Sequence, residues 1–348
     1  MTFRGIDHEV KMRLSILRFV MIFGIVVLHT PHYVNIAEIG SGWFDLTKAF
    51  FQSAVFRCTV PILSCISGYL LFGSGIDMNA RKLAAKKFKT LLIPFLTCNV
   101  LLAVLLFALQ SQYKLTTSYQ LYPFAVGTML DAALGLTRDP VNYPLNFVRD
   151  LLVLMMLSPL LGYLLRRAAL PGLLAVFLVF WLNIDGYLIL RSEMPIMFYL
   201  GGLAAVKKWN VKILDAHART CLFLFLLACI GVVYFQIGNT MYLRLVSPLL
   251  VWPATALISN SASGRWLADR AKYSFFIFLM HAPLLLLSFA LYKRFAPQVP
   301  YEIYWFATPL MTTWLLVKTY QFGMAFMSTS FSRIFGIRPA QAGLLGRP

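Results

Sequence analysis

A chain of 348 residues would ordinarily divide into two or three soluble domains. Its 59% hydrophobic and 13% charged composition excludes that, since a water-soluble surface needs about 25% charged residues. The net charge of +18 does not mark a nucleic-acid binder, because the basic residues sit in short loops between apolar runs, where the positive-inside rule places them. The apolar runs recur from end to end, and mean hydropathy is +0.74. This reads as an all-α, polytopic membrane bundle of about ten spanning helices.

The first apolar run covers residues 14–34. It is longer than a signal-peptide core and lacks a small-x-small cleavage site, so it reads as a retained span. It carries Arg18 and His29. Eleven helical steps turn about 1100°, some 20° from three full turns, and rise about 16 Å, half the hydrocarbon thickness. Both side chains therefore point the same way. Ionisable residues at that depth are costly and mark function by default. An anion held at Arg18 and a proton-transfer group at His29 would share one shaft. The plain alternatives are a snorkelling cation at Arg18 and an interhelical hydrogen bond at His29.

The second run begins near Lys48 and holds Arg57, at a level near His29. Arg57 would bind a sugar hydroxyl or an oxyanion, or pair with Asp150. The run continues to Ser67-Gly68-Tyr69. A basic loop with Arg81, Lys82, Lys86, Lys87 and Lys89 leads into the third run, near Phe88. The stretch from Gln110 to Tyr143 is aromatic and polar, suited to a polymer or lipid-linked substrate or to a simple connection. The fourth run opens at Leu145 with Asn146, Arg149 and Asp150, adjacent charges that either anchor a helix start or face a substrate. The fifth and sixth runs, near Leu170 and Met194, are broken by Pro171, Asn183, Asp185 and Pro195 and read as a tilted or re-entrant pair. Runs from Leu222, Tyr242, Tyr273 and Ile303 complete the set. The ninth contains His281-Ala282-Pro283, where a kink and a polar contact are expected. Cys58, Cys65, Cys98, Cys221 and Cys229 lie in apolar runs without metal-ligand spacing and read as packing residues.

One set of loops carries about twenty Lys and Arg, from Arg4, Lys11 and Arg13 through Arg166, Lys212 and Arg270 to Arg338 and Arg347. The other carries about six: Lys48, Lys114, Arg138, Arg191, Lys293 and Arg294. The richer side is cytoplasmic. Both termini then lie inside, with residues 1–330 as one transmembrane domain and 331–348 as a short cytoplasmic tail.

There is no HExxH, GxSxG or Walker motif. A lone histidine base suits acyl transfer to a hydroxyl, with arginines stabilising the developing oxyanion. A transporter or flippase for a polar lipid or saccharide also places arginine and histidine in a membrane. Such folds often show repeated halves with broken helices, and this chain does not.

Five motifs then occur in order: Arg18, ten residues and His29; Ile66-Ser67-Gly68-Tyr69-Leu70; a basic loop into Leu92-Ile93-Pro94-Phe95; Leu145-Asn146-Phe147-Val148; and Tyr273-Ser274 through His281-Ala282-Pro283. Together they resemble the acyltransferase-3 family of membrane O-acyltransferases over nearly the whole chain. Asn146 stands where the family usually has Trp. The resemblance implies ten spans in a bacterial inner membrane and an acyl-CoA donor, acetyl-CoA or succinyl-CoA, bound from the cytoplasm. Arg18 with Arg81, Lys82, Lys86, Lys87 and Lys89 would meet its phosphates. The thioester would rise to His29, the general base, beside Arg57. Arg149, Asp150, Tyr69 and His281 would complete the substrate site. The acceptor would be a surface polysaccharide or exopolysaccharide, or its lipid-linked precursor. The opening through Tyr69 is most similar to a branch that succinylates an exopolysaccharide. No metal is implied, and the surrounding partner is membrane lipid.

Overall fold

The computed structural model describes residues 7–113, 117 and 119–337, with no strand among them. Arg4, Lys114, Arg338 and Arg347, and the tail beyond Ile337, lie outside these residues. In chain order the helices are α1 (His8–Leu28), α2 (Trp43–Ala49), α3 (Thr59–Gly73), α4 (Ala80–Lys87), α5 (Ile93–Tyr113), α6 (Val126–Leu134), α7 (Asn146–Arg167) and α8 (Ala169–Trp181). There follow α9 (Glu193–Val206), α10 (Ala218–Tyr234), α11 (Met241–Ala254), α12 (Ala256–Ser259), α13 (Ala262–Arg270), α14 (Ser274–Phe295), α15 (Tyr301–Phe326) and α16 (Ser328–Ile334).

Among the described residues, six helical stretches are long and apolar enough to cross a membrane. They are Trp43–Gly73, Ala80–Tyr113, Tyr143–Arg167, Asp215–Tyr234, Met241–Ser259 and Ala262–Phe295. Lys11, Arg13 and Arg18 interrupt α1, and threonines and Lys318 dilute α15. The broken pair is short: α8 has 13 residues and α9 has 14, about 20 Å each at 1.5 Å per residue against a 30 Å core. Leu101, Leu105, Leu174, Phe223, Leu249, Leu310 and Trp314 are exposed on helix surfaces. Contiguous apolar faces of this kind suit lipid, not water. The chain is a multi-pass membrane protein.

The first span departs from the expected 14–34. It starts at His8 and ends at Leu28, with His29 as its cap. The Thr30 hydroxyl turns back to the Val26 carbonyl at 2.9 Å, and Pro31 disfavours helical geometry at Thr30. The freed carbonyls are taken by the buried amide of Gln52, which donates to Val27 (2.9 Å), Leu28 (3.3 Å) and Thr30 (2.9 Å). Gln52 lies in a wide turn, Phe50–Ala54, between α2 and α3. A tight turn, Val55–Cys58, follows. Pro61 lacks the N–H that would bond the Arg57 carbonyl in a regular α-helix, and the tight turn falls there.

α3 and α9 pack at the centre through two glycines. A Cβ on Gly68 would lie 2.0 Å from the Phe198 carbonyl oxygen, and one on Gly201 would lie 2.0 Å from that of Cys65. Small residues allow this backbone approach in a bundle that lacks a hydrophobic drive between helices. Gly68→Ala is expected to cost about 1–3 kcal/mol through forced separation of the two helices. Thermal unfolding in detergent reads this directly, and an unchanged midpoint would disprove the tight contact.

The described residues of the 110–143 stretch are folded together. The Gln110 amide donates to the Tyr119 carbonyl (2.6 Å) and its oxygen accepts from the Leu121 N–H (2.7 Å). Asp131 on α6 accepts from Leu136 and Thr137 N–H groups at 2.9 and 2.8 Å. Burial alone would raise the Asp131 carboxyl, but hydrogen bonds from Thr137, Arg138 and Leu136 outweigh it and hold the group below the usual carboxylate range.

Candidate active site

Pro283 leaves the Leu279 carbonyl of α14 without its helical donor. The Asn142 amide takes that carbonyl at 3.0 Å. One residue earlier, the Phe278 carbonyl receives Nδ1 of His281 at 2.8 Å. His281 is fully buried and its Nε2 lies 3.0 Å from Nδ1 of His29. The two rings stack at 5.2 Å between centroids, 26° from parallel. Tyr143 meets the His29 ring edge-on at 5.0 Å.

These contacts fix the tautomers. A carbonyl only accepts, so Nδ1 of His281 carries the proton. Neutral His281 then offers Nε2 as an acceptor, and Nδ1–H of His29 donates to it. The unprotonated nitrogen of His29 is Nε2, the lone pair a general base needs.

His29 borders a cavity of about 540 Å³ whose walls include Arg57, Tyr143, Asn146, Arg191, Glu193 and Arg244. A second cavity, of about 610 Å³, is bordered by Arg18, Ser67, Lys87, Lys272 and Tyr320. Phe147 and Phe278 border both, packed edge-to-face at 5.7 Å and 71°. The aromatic pair is thus the partition between the Arg18 cavity and the His29 cavity. Arg18 on α1 borders one cavity, and His29, the cap of α1, borders the other. The Arg18 guanidinium has no hydrogen bond or ion pair among the described residues, whereas Arg57 donates to the Tyr33 hydroxyl at 2.7 Å.

Several expected site residues sit elsewhere. Arg149 and Asp150 border neither cavity. The buried Asp150 carboxylate needs partners, and it accepts from Arg149 (2.8 Å) and from the N–H groups of Leu190 (3.2 Å) and Arg191 (3.1 Å). Arg149 also bonds the carbonyls of Gly135, Tyr187 and Leu188. The pair is therefore a bracket for the 187–191 loop, and the alternative Arg57–Asp150 pairing is not formed. Tyr69 borders neither cavity; two steps beyond Ser67, about 200° around α3, it faces away and packs on the core. His281 stands behind His29 and borders neither cavity. Of the basic loop, Lys87 reaches the Arg18 cavity, while Arg81, Lys82 and Lys89 are exposed on the surface. Arg13, expected in a loop, is fully buried and paired with Asp215 at 2.7 and 2.9 Å.

The sequence reading missed Gln52, Glu193 and Arg244, and took Arg191 for a loop charge. Arg244 pairs with Glu193 at 3.0 Å. Its place inside an apolar run was a usable signal. Gln52 had none, since its partners are backbone carbonyls of another helix.

Residues 13–324 match the acyltransferase-3 family, described as an acyltransferase domain. The chain belongs to that family. As an acyltransferase-3 member it is similar to the succinoglycan biosynthesis protein ExoH of Rhizobium meliloti (strain 1021), at 30% identity over 332 residues, covering 90% of this chain and 89% of the relative. No solved structure matches it.

Proposed function

We propose that this acyltransferase moves an acyl group, succinyl or acetyl, from cytoplasmic acyl-CoA to a sugar hydroxyl of an exopolysaccharide or its lipid-linked precursor, on the outer side of a bacterial inner membrane. Four further passes, α1, α8, α9 and α15, added to the six apolar stretches make ten and return both termini to the cytoplasm. The charge asymmetry of the loops supports that orientation. A reporter fused after Pro348 is expected inside the cell, and an external reporter would overturn the count.

The observation that carries the chemistry is the His29–His281 contact, which leaves His29 Nε2 as a base in a cavity lined by arginines. The acceptor hydroxyl oxygen attacks the thioester carbonyl carbon while its proton passes to Nε2. Arg57 stabilises the oxyanion. The C–S bond then breaks, and the CoA thiolate leaves with the proton held by His29. His281 keeps the imidazolium oriented throughout through the Nδ1–H bond.

The donor enters by the Arg18 cavity, where Arg18, Lys87 and Lys272 supply cationic contacts for its phosphates, and its acyl arm passes the Phe147–Phe278 partition. The similarity to a succinoglycan biosynthesis protein supports an exopolysaccharide acceptor. Surface polysaccharide from a deletion strain is expected to lack one acyl ester, and an unchanged ester content would refute the reading. Purified protein is expected to be protected against heating by acyl-CoA. Arg18→Ala should weaken that protection about tenfold in the concentration required, the loss of one charge-assisted phosphate contact. Absence of protection by any acyl-CoA would favour a transporter.

A further inference from the structure

The His29 cavity holds more positive charge than the oxyanion of acyl transfer uses. Three arginines, Arg57, Arg191 and Arg244, border it against one carboxylate, Glu193. Glu193 is committed to Arg244 at 3.0 Å, and Arg57 rests on the Tyr33 hydroxyl. The Arg191 guanidinium makes no ion pair or hydrogen bond among the described residues, and its Nε is buried without a partner.

A buried guanidinium nitrogen left unpaired is costly, and it would be relieved by an anion. The backbone around it is built to hold it there. Asp150 accepts from the Leu190 and Arg191 N–H groups, and Arg149 grips the Tyr187 and Leu188 carbonyls. The buried Asp150 and the partly buried Arg149 thus fix a short loop whose one cavity-facing cation is Arg191. This is the form of a preorganised anion anchor: the Arg191 backbone is held by its neighbours and the guanidinium donors are unspent among the described residues.

We propose that Arg191 binds the distal carboxylate of a half-acid acyl group, of which succinyl is the four-carbon case, and so selects the donor. This rests on the acyltransferase reading above. Arg191 and His29 border the same cavity, so an anion at Arg191 and a carbonyl reacting beside His29 occupy one space. The carboxylate of a succinyl thioester is about 5 Å from its carbonyl carbon, the span of four bonds in an extended chain. A neutral acetyl group would leave Arg191 unpaired, and a site built for a charged group rejects the analogue lacking it strongly.

The test compares succinyl-CoA and acetyl-CoA as donors to the purified full-length protein in nanodiscs, with CoA thiol release followed in the presence of deacylated polysaccharide. Wild type is expected to favour succinyl-CoA by at least 100-fold in kcat/KM. Arg191→Gln is expected to lower that ratio at least 10-fold, and Arg191→Lys to keep most of it. Preference for acetyl-CoA by wild type would overturn the proposal, as would an unchanged ratio in Arg191→Gln, the result expected if Arg191 served an acidic acceptor sugar. If neither donor is turned over, the acyltransferase reading falls, and this proposal with it.

Discussion

His29→Ala is expected to lower acyl transfer by about 10²- to 10⁴-fold, the range lost when a positioned general base is removed, while the folded protein accumulates normally. The second half of that expectation follows from the local structure. The end of α1 is held by Gln52, Thr30 and Pro31, not by the imidazole. His281 gives the finer test. Its Nε2 accepts from His29 and its Nδ1 is spent on the Phe278 carbonyl, so it acts through His29. His281→Phe should cost less than His29→Ala and should displace the pH–rate profile, because the His29 tautomer is no longer fixed. His281→Asn, which still offers an acceptor, should recover part of the rate. Equal, total loss in every His281 variant with an unmoved profile would reduce His281 to packing. Normal acylation by His29→Ala would remove the base from the mechanism.

The largest effect on stability falls at the other end of α1. Arg13→Ala is expected to destabilise by about 3–5 kcal/mol, the cost of breaking a buried ion pair from one side. Arg13 is 0% exposed and donates to Asp215 at 2.7 and 2.9 Å, to the Thr255 hydroxyl at 2.7 Å and to the Trp252 carbonyl at 3.0 Å. It also lies 4.4 Å from the centre of the Trp252 ring. One side chain therefore joins α1 to the turn before α10 and to the α11–α12 junction. Asp215→Asn should be less damaging than Arg13→Ala, since it leaves the buried guanidinium with Glu9, at 3.8 Å, as a more distant carboxylate. Replacing both by apolar residues of similar volume should recover much of the loss. Thermal unfolding in detergent separates these outcomes; a double variant no better than the singles would contradict this account.

The same residue shows how sequence and structure divide the information. Arg13 and Arg18 are five positions apart on one helix, one just before the start of an apolar run and one just inside it. Composition treats them alike. Their fates differ because Asp215, some two hundred positions later, folds against one and not the other. Arg149 and Asp150 read as candidate substrate groups for the same reason: an unpaired charge in an apolar run looks available until its partners are known. Arg191 is the converse case, a loop charge by sequence whose backbone is fixed by Asp150 and Arg149 and whose side chain borders the His29 cavity.

The material and the period are written in the chain: apolar runs set a helical membrane bundle, loop charges bias its orientation, and eleven helical steps put Arg18 and His29 on one side of α1. Those follow from composition and local geometry, which need no partner. Which polar groups are spent on each other and which remain open depends on how the helices pack. That packing set His281 behind His29, assigned the proton on Nδ1, divided the interior at Phe147 and Phe278, and left the Arg191 Nε without a mate. Hydrogen bonds and ion pairs between distant helices depend on approach within about 3 Å, and no local pattern in the chain encodes that distance.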